Sequence, residues 1–223
     1  MADLWVCELG SVPYDEALAL QEAVRAARQS DAIPDVLLLL EHPPVYTRGR
    51  RTDDGELPIA DHGIEIVDVD RGGKLTYHGP GQLVGYPIVR LGPIVEFLRT
   101  MEGAIVAALR AEGIEAQGAD GRPTGVWVGE RKIASLGIHV QRRVSTHGFA
   151  INVDGDLEPF AWIVPCGLDG VQMTSVAGET GRSGRMRCVR RRVAYELASA
   201  MGQRQRLVSR ARIEDTVGAL SAA

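Results

Sequence analysis

The sequence has few cysteines and lacks the cysteine and histidine spacings of disulfide-bonded or zinc-binding proteins. It contains three cysteines, Cys7, Cys166 and Cys188, with no C-x-x-C pair, and its five histidines show no H-x-x-x-H spacing. An odd number of widely spaced cysteines argues against a disulfide framework and indicates a reducing compartment, which we take to be the cytoplasm. The same spacing argues against a structural zinc site, and we predict no bound metal or cofactor.

Long hydrophobic runs and phosphate-binding fingerprints are missing as well. No apolar stretch approaches the ~20 residues that a membrane-spanning helix needs. The acidic N-terminal sequence MADLWVCELGSV lacks the basic region and the long apolar stretch of a signal peptide. Neither G-x-x-x-x-G-K-S/T nor a G-x-G-x-x-G between a strand and a helix occurs. We therefore predict no association with a membrane.

Positive charge is in slight deficit, with 25 lysines and arginines against 29 acidic residues and a formal net charge of −4. This balance argues against a general nucleic-acid-binding protein. The exception is the segment RSGRMRCVRRR, residues 182–192, which holds six arginines. It fits either a solvated surface or a docking patch for an acidic partner. Nucleic acid is disfavoured because no aromatic side chains interleave with the arginines to stack on bases.

Glycine, in contrast, is abundant, with 26 residues where average usage would give roughly 16. The densest stretch is RGGKLTYHGPGQLVGYP, residues 71–87, in which glycines 72, 73, 79 and 81 surround one histidine between two extended segments. Glycine has no Cβ and reaches positive φ. The stretch therefore predicts a site at which the backbone approaches a ligand closely.

Hydrophobic periodicity predicts a mixture of helices and strands. The predicted helices cover 14–29, 93–113, 189–201 and 210–220, and the predicted strands 35–42, 64–70, 82–89, 124–129, 132–140 and 145–153. The last three strands follow one another closely, which is typical of antiparallel hairpins, and a loop is expected over 154–170. No linker-like change in composition interrupts the chain. We predict one α+β domain over residues 1–223, a mixed, largely antiparallel sheet flanked by helices.

Cys166 is the first candidate for a nucleophile. It lies in WIVPCGLDG, where a proline before it and a glycine after it predict a sharp turn that presents the thiol. The alternative is a small buried hydrophobic residue, which is how cysteine usually behaves and which suits Cys7 in the strand-like LWVCEL. Cys188 is a rival nucleophile, since the arginines around it favour a thiolate.

Three residues are candidates for a catalytic base. Lys132 begins KIASLGIHV, and strand geometry puts it on one face with the apolar residues 134, 136, 138 and 140. Lysines at strand ends commonly reach out to water, but burial disfavours the ammonium form and makes an inward lysine a base. His78 and His147 are the alternatives, and a Cys–His pair would indicate a hydrolase or acyltransferase. Spacing does not choose between them.

Four motifs taken together are specific. RGGKLTYHGPGQLVGYPI, TGVWVGERKIASLGIH, STHGFAINV and IVPCGL resemble, in this order, the octanoyltransferases of lipoate biosynthesis, over about residues 41–175. The resemblance implies a single domain of the biotin/lipoate-ligase type that uses no ATP. It also implies transfer of octanoyl from octanoyl-acyl carrier protein to a lysine of a lipoyl domain, the first step of endogenous protein lipoylation. The implied acceptors are the lipoyl domains of 2-oxoacid dehydrogenase complexes and the glycine cleavage H protein.

The resemblance also implies roles for individual residues. Cys166 matches the acyl-thioester nucleophile and Lys132 the residue that favours its thiolate. Three segments match substrate-binding elements: Arg71, Gly72, Gly73, Lys74, Leu75, Thr76, Tyr77 and His78; then Ser135, Leu136 and Gly137; then Gly148, Phe149 and Ala150. The side chain of Lys74 is assigned no role of its own. The four glycines of the first motif are expected to leave room for a straight alkyl chain.

Three rival functions remain open from the sequence. An ATP-dependent lipoate or biotin ligase of the same fold would need a nucleotide site and would not need Cys166. A thiol hydrolase would use Cys166 with a histidine and water. A non-catalytic acyl-protein-binding module would use the arginines of residues 182–192. Replacing Cys166 separates these functions, because only a ligase or a binding module would tolerate its loss.

Overall fold

A seven-stranded mixed sheet forms the centre of the structure, a computed structural model that describes residues 1–58, 60, 62–163 and 171–221. The strands of the described residues are β1 (Asp3–Ser11), β2 (Asp35–Glu41), β3 (Val45–Arg48), β4 (Glu65–Asp68), β5 (Thr76–His78), β6 (Gln82–Ile88), β7 (Gly125–Val128), β8 (Arg131–Gln141), β9 (Val144–Asn152) and β10 (Arg204–Leu207). The helices are α1 (Tyr14–Gln29), α2 (Ile94–Arg110), α3 (Glu158–Ala161), α4 (Val176–Thr180), α5 (Met186–Ala200) and α6 (Arg210–Ser221).

The main sheet has the strand order β10-β1-β2-β6-β9-β8-β7. Strand β1 pairs in parallel with both β10 and β2, and the remaining neighbours are antiparallel. The predicted mixed, largely antiparallel sheet and the predicted β7–β8–β9 hairpins are therefore confirmed. A second sheet of three strands, in the order β4-β3-β5, carries the glycine-rich segment against the main one.

Helices cover both faces of the main sheet. Strand β2 shows why, because its apolar run DVLLLLE buries alternate residues in two different cores. Leu37 and Leu39 pack with α2 and α5 on one face. Leu38 and Leu40 pack with α1 and α6 on the other. A strand covered on both faces reads as a continuous apolar run, which is the pattern that predicted β2 from the sequence.

The predicted loop over 154–170 was wrong in one part, since α3 forms a single helical turn at Glu158–Ala161. Short strands were also missed, namely β3, β5 and β10. Elements of three or four residues carry too few side chains to show a period. Within the described residues, no helix is both long and apolar enough to cross a membrane. The extent of the domain over residues 1–223 stays a prediction.

Candidate active site

A cavity of about 610 Å³ lies where the glycine-rich segment meets β8 and β9. All three predicted binding elements contribute to its wall. Only Leu75 and Tyr77 of the predicted binding residues do not, because side chains alternate along β5 and these two pack with Tyr46 and Phe160 in a separate apolar cluster. The lining comprises Tyr14, Arg51, Arg71, Gly72, Gly73, Lys74, Thr76, His78, Tyr86, Ile94, Leu98, Pro123, Thr124, Lys132, Ser135, Leu136, Gly137, Ile138, His147, Gly148, Phe149 and Ala150.

Arg71 fixes the glycine-rich segment to the second sheet. One guanidinium nitrogen, Nη2, donates to both the carbonyl and the hydroxyl of Thr47, at 2.7 Å each. The next residue, Gly72, donates its N–H to the carbonyl of Ile138 at 3.1 Å. A Cβ on Gly137 would lie 2.8 Å from the Gly72 carbonyl oxygen, so glycine at 137 permits this close backbone contact between the segment and β8.

The glycines of the first motif divide into two pairs. Gly72 and Gly73 line the cavity, as expected. A Cβ on Gly79, however, would lie 2.1 Å from the Tyr77 hydroxyl oxygen, and one on Gly81 would lie 2.4 Å from the Gly155 nitrogen. The expectation that all four glycines make room for an alkyl chain was therefore wrong for the second pair, which makes room for the protein's own chain.

Lys132 points into the cavity wall with only 2% of its surface exposed. The prediction that Lys132 shares a strand face with Ala134 was wrong. Trp127 pairs with Lys132 while the preceding Val126 pairs with Ala134, so Ile133 is an extra residue in a β-bulge. Directly opposed residues share a face and neighbours on one strand do not. The bulge therefore puts Lys132 on the face opposite Ala134, whereas uninterrupted alternation would have put both on the same face.

The surroundings of Lys132 hold it from several sides. Its Nζ lies 5.4 Å from the centroid of the Trp127 ring, within the range of a cation–π contact. A Cβ on Gly125 would lie 2.4 Å from its Cε. Its backbone N–H donates to the Gln172 carbonyl, and its carbonyl accepts from the Thr174 N–H, each at 2.9 Å.

Cys166 lies outside the described residues, in the segment 164–170. It precedes Gln172 by six positions in the sequence, and Gln172 is the residue that pairs with the Lys132 backbone. The two described cysteines do not line the cavity. Cys7 is buried in β1, where desolvation raises the pKa of its thiol to about 11, and Cys188 is exposed on the first turn of α5.

His78 lines the cavity, but both of its ring nitrogens have protein partners. Nδ1 lies 2.7 Å from Gln82 Oε1, and Nε2 lies 3.4 Å from the Thr47 hydroxyl. The Gln82 amide NH2 donates to Asn152 Oδ1, so its oxygen is the acceptor and His78 Nδ1 carries the proton. Burial, with His42 nearby as a smaller cause, lowers the pKa of His78 to about 3. A neutral imidazole whose two ring nitrogens both contact protein groups is poorly suited to act as a base.

Both ring nitrogens of His147 also contact protein groups. Its Nε2 lies 2.7 Å from Asp70 Oδ1, its Nδ1 lies 3.4 Å from the Tyr14 hydroxyl, and its backbone N–H donates to Gln21 Oε1. Desolvation lowers its pKa, and the hydrogen bond to Asp70 opposes that shift. Its φ of 56° is the left-handed conformation, rare for a residue with a Cβ. The choice of base between Lys132 and the two histidines stays a prediction.

Several polar residues around the cavity were not predicted. A hydrogen-bonded chain runs from Thr47 through His78 and Gln82 to Asn152, whose amide donates to the Thr174 carbonyl beside Lys132. These residues are far apart in the sequence, so no local spacing could have joined them. The available signal was the presence of polar residues in otherwise apolar strands, Gln82 in β6 and Asn152 in β9.

The six arginines of residues 182–192 lie away from the cavity lining. Arg182 and Arg185 bond to the backbone carbonyl and the carboxylate of Glu112, respectively. Arg190 pairs with Glu8 and Glu41. Half of the charges in this segment are thus used within the molecule, and its role as a docking patch stays a prediction.

This chain is similar to known proteins in both its sequence and its structure. The lipoyl protein ligase A/B catalytic domain matches residues 13–198. The octanoyltransferase of Acidothermus cellulolyticus is 49% identical over 182 residues, 78% of this chain and 81% of the relative. That of Mycobacterium ulcerans is 43% identical over 216 residues, 90% of this chain and 89% of the relative.

Solved structures show the fold. A putative lipoate protein ligase from T. acidophilum has a TM-score of 0.76 at 18% identity, covering 100% of this chain and 95% of that one. A lipoate-protein ligase A bound with ATP has a TM-score of 0.72 at 20% identity, covering 98% and 93%. The biotin/lipoate-ligase type of fold and the resemblance drawn from the four motifs are both confirmed. The chain belongs to the lipoyl protein ligase A/B catalytic-domain family and, within it, to the octanoyltransferases.

Proposed function

We propose that this protein transfers an octanoyl group from octanoyl-acyl carrier protein to a lysine of a lipoyl domain, through a thioester on Cys166. The observation that carries the proposal is Lys132, a nearly inaccessible lysine in the wall of a largely apolar cavity. Its backbone pairs with the chain that continues from the Cys166 segment. A lysine in this wall is within reach of a ligand in the cavity, as a group that moves protons in catalysis must be.

The cavity suits an eight-carbon chain. Its volume of about 610 Å³ is within the range of small-ligand pockets. Apolar side chains, namely Ile94, Leu98, Leu136 and Phe149, form much of the wall. Burial of each methylene contributes ~0.8 kcal/mol, so the acyl chain alone supplies several kcal/mol toward binding. Because the donor is already a thioester, the transfer needs no ATP and no cofactor.

In the first step, the Cys166 thiolate attacks the carbonyl carbon of the donor thioester. The carbon–sulfur bond to the carrier breaks, and the departing thiolate takes a proton from the Lys132 ammonium. The products are acyl-Cys166, a neutral Lys132 amine and the carrier thiol. Lys132 is the group assigned to this proton transfer because both ring nitrogens of His78 and of His147 already contact protein groups.

In the second step, the neutral amine of the acceptor lysine attacks the acyl-Cys166 carbonyl. The amine loses a proton to Lys132, an amide forms, and the Cys166 thiolate is released. The enzyme has then returned to its thiolate–ammonium starting state. The acceptors we propose are the lipoyl domains of 2-oxoacid dehydrogenase complexes and the glycine cleavage H protein, in the cytoplasm.

The test is intact mass spectrometry after incubation with octanoyl-acyl carrier protein in the absence of ATP. The protein is expected to gain one octanoyl group, which peptide mapping locates on Cys166 and which a lipoyl domain removes. The Cys188→Ala variant is the matched control, since its thiol is exposed and its loss should leave the label in place. Cys166→Ser should form no hydroxylamine-sensitive thioester.

Other outcomes would identify the rival functions. A label on Cys188, or on Cys7, would overturn the assignment of the nucleophile. Octanoyl transfer that requires ATP and survives Cys166→Ser would indicate a ligase. Release of octanoate to water without an acceptor would indicate a hydrolase. Binding of the acylated carrier with no covalent intermediate would indicate a binding module.

A further inference from the structure

A tight turn at residues 49–52, here called the arginine turn, is fixed onto the glycine-rich segment. The Thr52 N–H and hydroxyl both donate to the Gly49 carbonyl, at 3.0 and 2.8 Å. The Arg50 N–H donates to the Arg71 carbonyl at 3.3 Å, and the Arg51 N–H to the Gly73 carbonyl at 3.2 Å. The turn therefore presents two consecutive arginines from a backbone that the binding segment itself holds.

Gly49 shows how closely the turn approaches this segment. A Cβ at this position would lie 2.5 Å from the Gly73 carbonyl oxygen and 2.8 Å from Arg71 Nη1. Real Cβ atoms do not approach backbone oxygens so closely, so only glycine fits. The position of the arginine turn relative to the cavity is thus set by the same residues that form the cavity wall.

The arginine turn reaches the mouth of the cavity through Arg51. The lining residues that are exposed to solvent are Arg51, Ile94 and Pro123, and they mark the opening. Of these three, only Arg51 is charged. Lys74, which is partly exposed, also lines the cavity, but its ammonium is paired with Asp53 and Glu56.

Neighbouring acidic residues are already matched by other bases. Lys74 forms ion pairs with Asp53 and Glu56. Arg48 forms one with Asp54 and a longer one with Asp68. Among residues 1–58, 60, 62–163 and 171–221, no carboxylate forms an ion pair with either arginine of the turn.

Arg50 has a different kind of partner. Its Nη2 lies 3.2 Å from His139 Nδ1, a contact that orients the side chain. Neither guanidinium group of the arginine turn forms an ion pair with a carboxylate of the described residues, although the other ring nitrogen of His139 lies 3.4 Å from Asp70.

We propose that the arginine turn binds the phosphodiester of the pantetheine arm through which the carrier protein presents its octanoyl thioester. This inference rests on the proposed function, since the thioester must reach Lys132 while the arm leaves through the mouth. The phosphodiester is the charged group of that arm. Planar guanidinium groups match phosphate oxygens in pairs, and the arginine turn places Arg51 at the opening, with Arg50 next to it in the chain.

The test uses two small donors that differ only in the phosphate, octanoyl-4′-phosphopantetheine and octanoyl-pantetheine, with a lipoyl domain as acceptor. For the wild-type protein we expect kcat/KM to be about tenfold higher for the phosphorylated donor, which is the effect of roughly 1.4 kcal/mol of binding. In the Arg50→Gln/Arg51→Gln variant this ratio is expected to fall to about one. Arg51→Gln alone should give an intermediate ratio.

The matched control removes the same charge elsewhere. Arg191→Gln/Arg192→Gln alters two exposed arginines of α5 and should keep the wild-type ratio. A double variant of the arginine turn that also keeps the ratio would overturn the proposal, and loss of the ratio in the α5 control would assign phosphate recognition to α5 instead. If the wild type accepts octanoyl from neither donor nor from the carrier protein, the proposed function fails and this inference fails with it.

Discussion

His42 and His78, two neighbouring histidines of the cavity region, are buried in their neutral form. Burial lowers the pKa of His42 to about 4 and that of His78 to about 3, from an ordinary value near 6.5. Each is tied to neutral partners: His42 contacts the Val12 carbonyl and the Tyr86 hydroxyl at 2.7 Å each. Their rings lie edge to face at 5.7 Å, so protonation of either one works against the other.

These histidines make stability depend on pH. A histidine whose pKa is lower in the folded state contributes stability that is present above the unfolded pKa of about 6.5 and lost as pH falls below it. Each should lower the free energy of unfolding by up to about 1.4 kcal/mol per pH unit between 6.5 and its folded pKa. Urea denaturation at pH 7.5, 6.5 and 5.5 measures this slope.

A pair of variants isolates the contribution of burial. His42→Gln should reduce the slope, even though it also lowers the overall stability. His62→Gln should leave it intact, because His62 is exposed and stacked on Trp162. Equal slopes in His42→Gln and the wild type would contradict the assignment.

The reactive residue types were visible in the sequence, but the contacts that hold them were not. Lys132, His78 and the binding glycines stood out because their residue types are unusual in apolar or extended segments. The partners that hold the two histidines, Thr47 for His78 and Asp70 for His147, come from distant strands and loops. Only the folded chain brings them together, so the choice between lysine and histidine was open from the sequence.

At the element scale, the β7–β8 hairpin determines where the Lys132 side chain goes. The bulge at Ile133 turns Lys132 toward the cavity while Ile133 and Ala134 both join the apolar core. Gly125 on β7 provides the space for the lysine side chain, since a Cβ there would meet Cε at 2.4 Å and the Ala134 carbonyl oxygen at 2.9 Å. The position of the Lys132 side chain thus depends on one inserted residue, Ile133, and on the absence of a Cβ at Gly125.

Gly125→Ala should therefore displace the Lys132 ammonium. A catalytic group moved by about 1 Å can lose roughly 10²-fold in rate, so kcat for transfer from octanoyl-acyl carrier protein is expected to fall toward that of Lys132→Met. Single-turnover kinetics with a lipoyl domain measures it. Gly129→Ala is the control, because Gly129 also has a positive φ, 57° against 156° at Gly125, and a Cβ there would meet nothing within 4 Å. Full activity in Gly125→Ala would show that this close packing is unimportant.

Most of the long elements were predictable. Helices α1, α2, α5 and α6 and strands β2, β6, β8 and β9 each bury one face or both, so their periodicity is visible in the sequence, whereas the nine-residue β1 showed only in the strand-like LWVCEL. Strands β3 and β5 exist because they pair with each other, which local sequence does not report. The bulge is a further case: one extra residue changes the face of a side chain without any mark in the apolar pattern.

At the scale of the whole molecule, the two ends of the chain meet at one edge of the sheet. Strand β10 pairs in parallel with β1, and α6 places Ile213 and Val217 in the core beneath α1. Arg204 and Arg206 form ion pairs with Asp3 across this edge. The last 20 residues therefore complete a core that begins with the first strand.

Removing residues 204–223 should be strongly destabilising. Burial of an aliphatic side chain contributes about 1.5–3 kcal/mol, so loss of Ile213 and Val217 alone should lower the free energy of unfolding by roughly 3–6 kcal/mol, a large part of a typical domain's total. Urea denaturation and light scattering measure the loss and the association that follows. Arg204→Ala/Arg206→Ala removes only the exposed ion pairs and should lower the free energy of unfolding far less. A truncated chain as stable as this control would contradict the assignment.

The pairing of β1 with β10 also has a consequence for synthesis on the ribosome. Strand β1 finds β2 early, because only residues 12–34 separate them, whereas β10 ends at Leu207. At five to twenty residues per second, roughly ten to thirty seconds of translation separate the two events. During that time the outer edge of β1 has hydrogen-bonding groups with no strand beside them, the kind of edge to which other chains add. The nascent protein thus exposes this edge to pairing with other chains until β10 has been made.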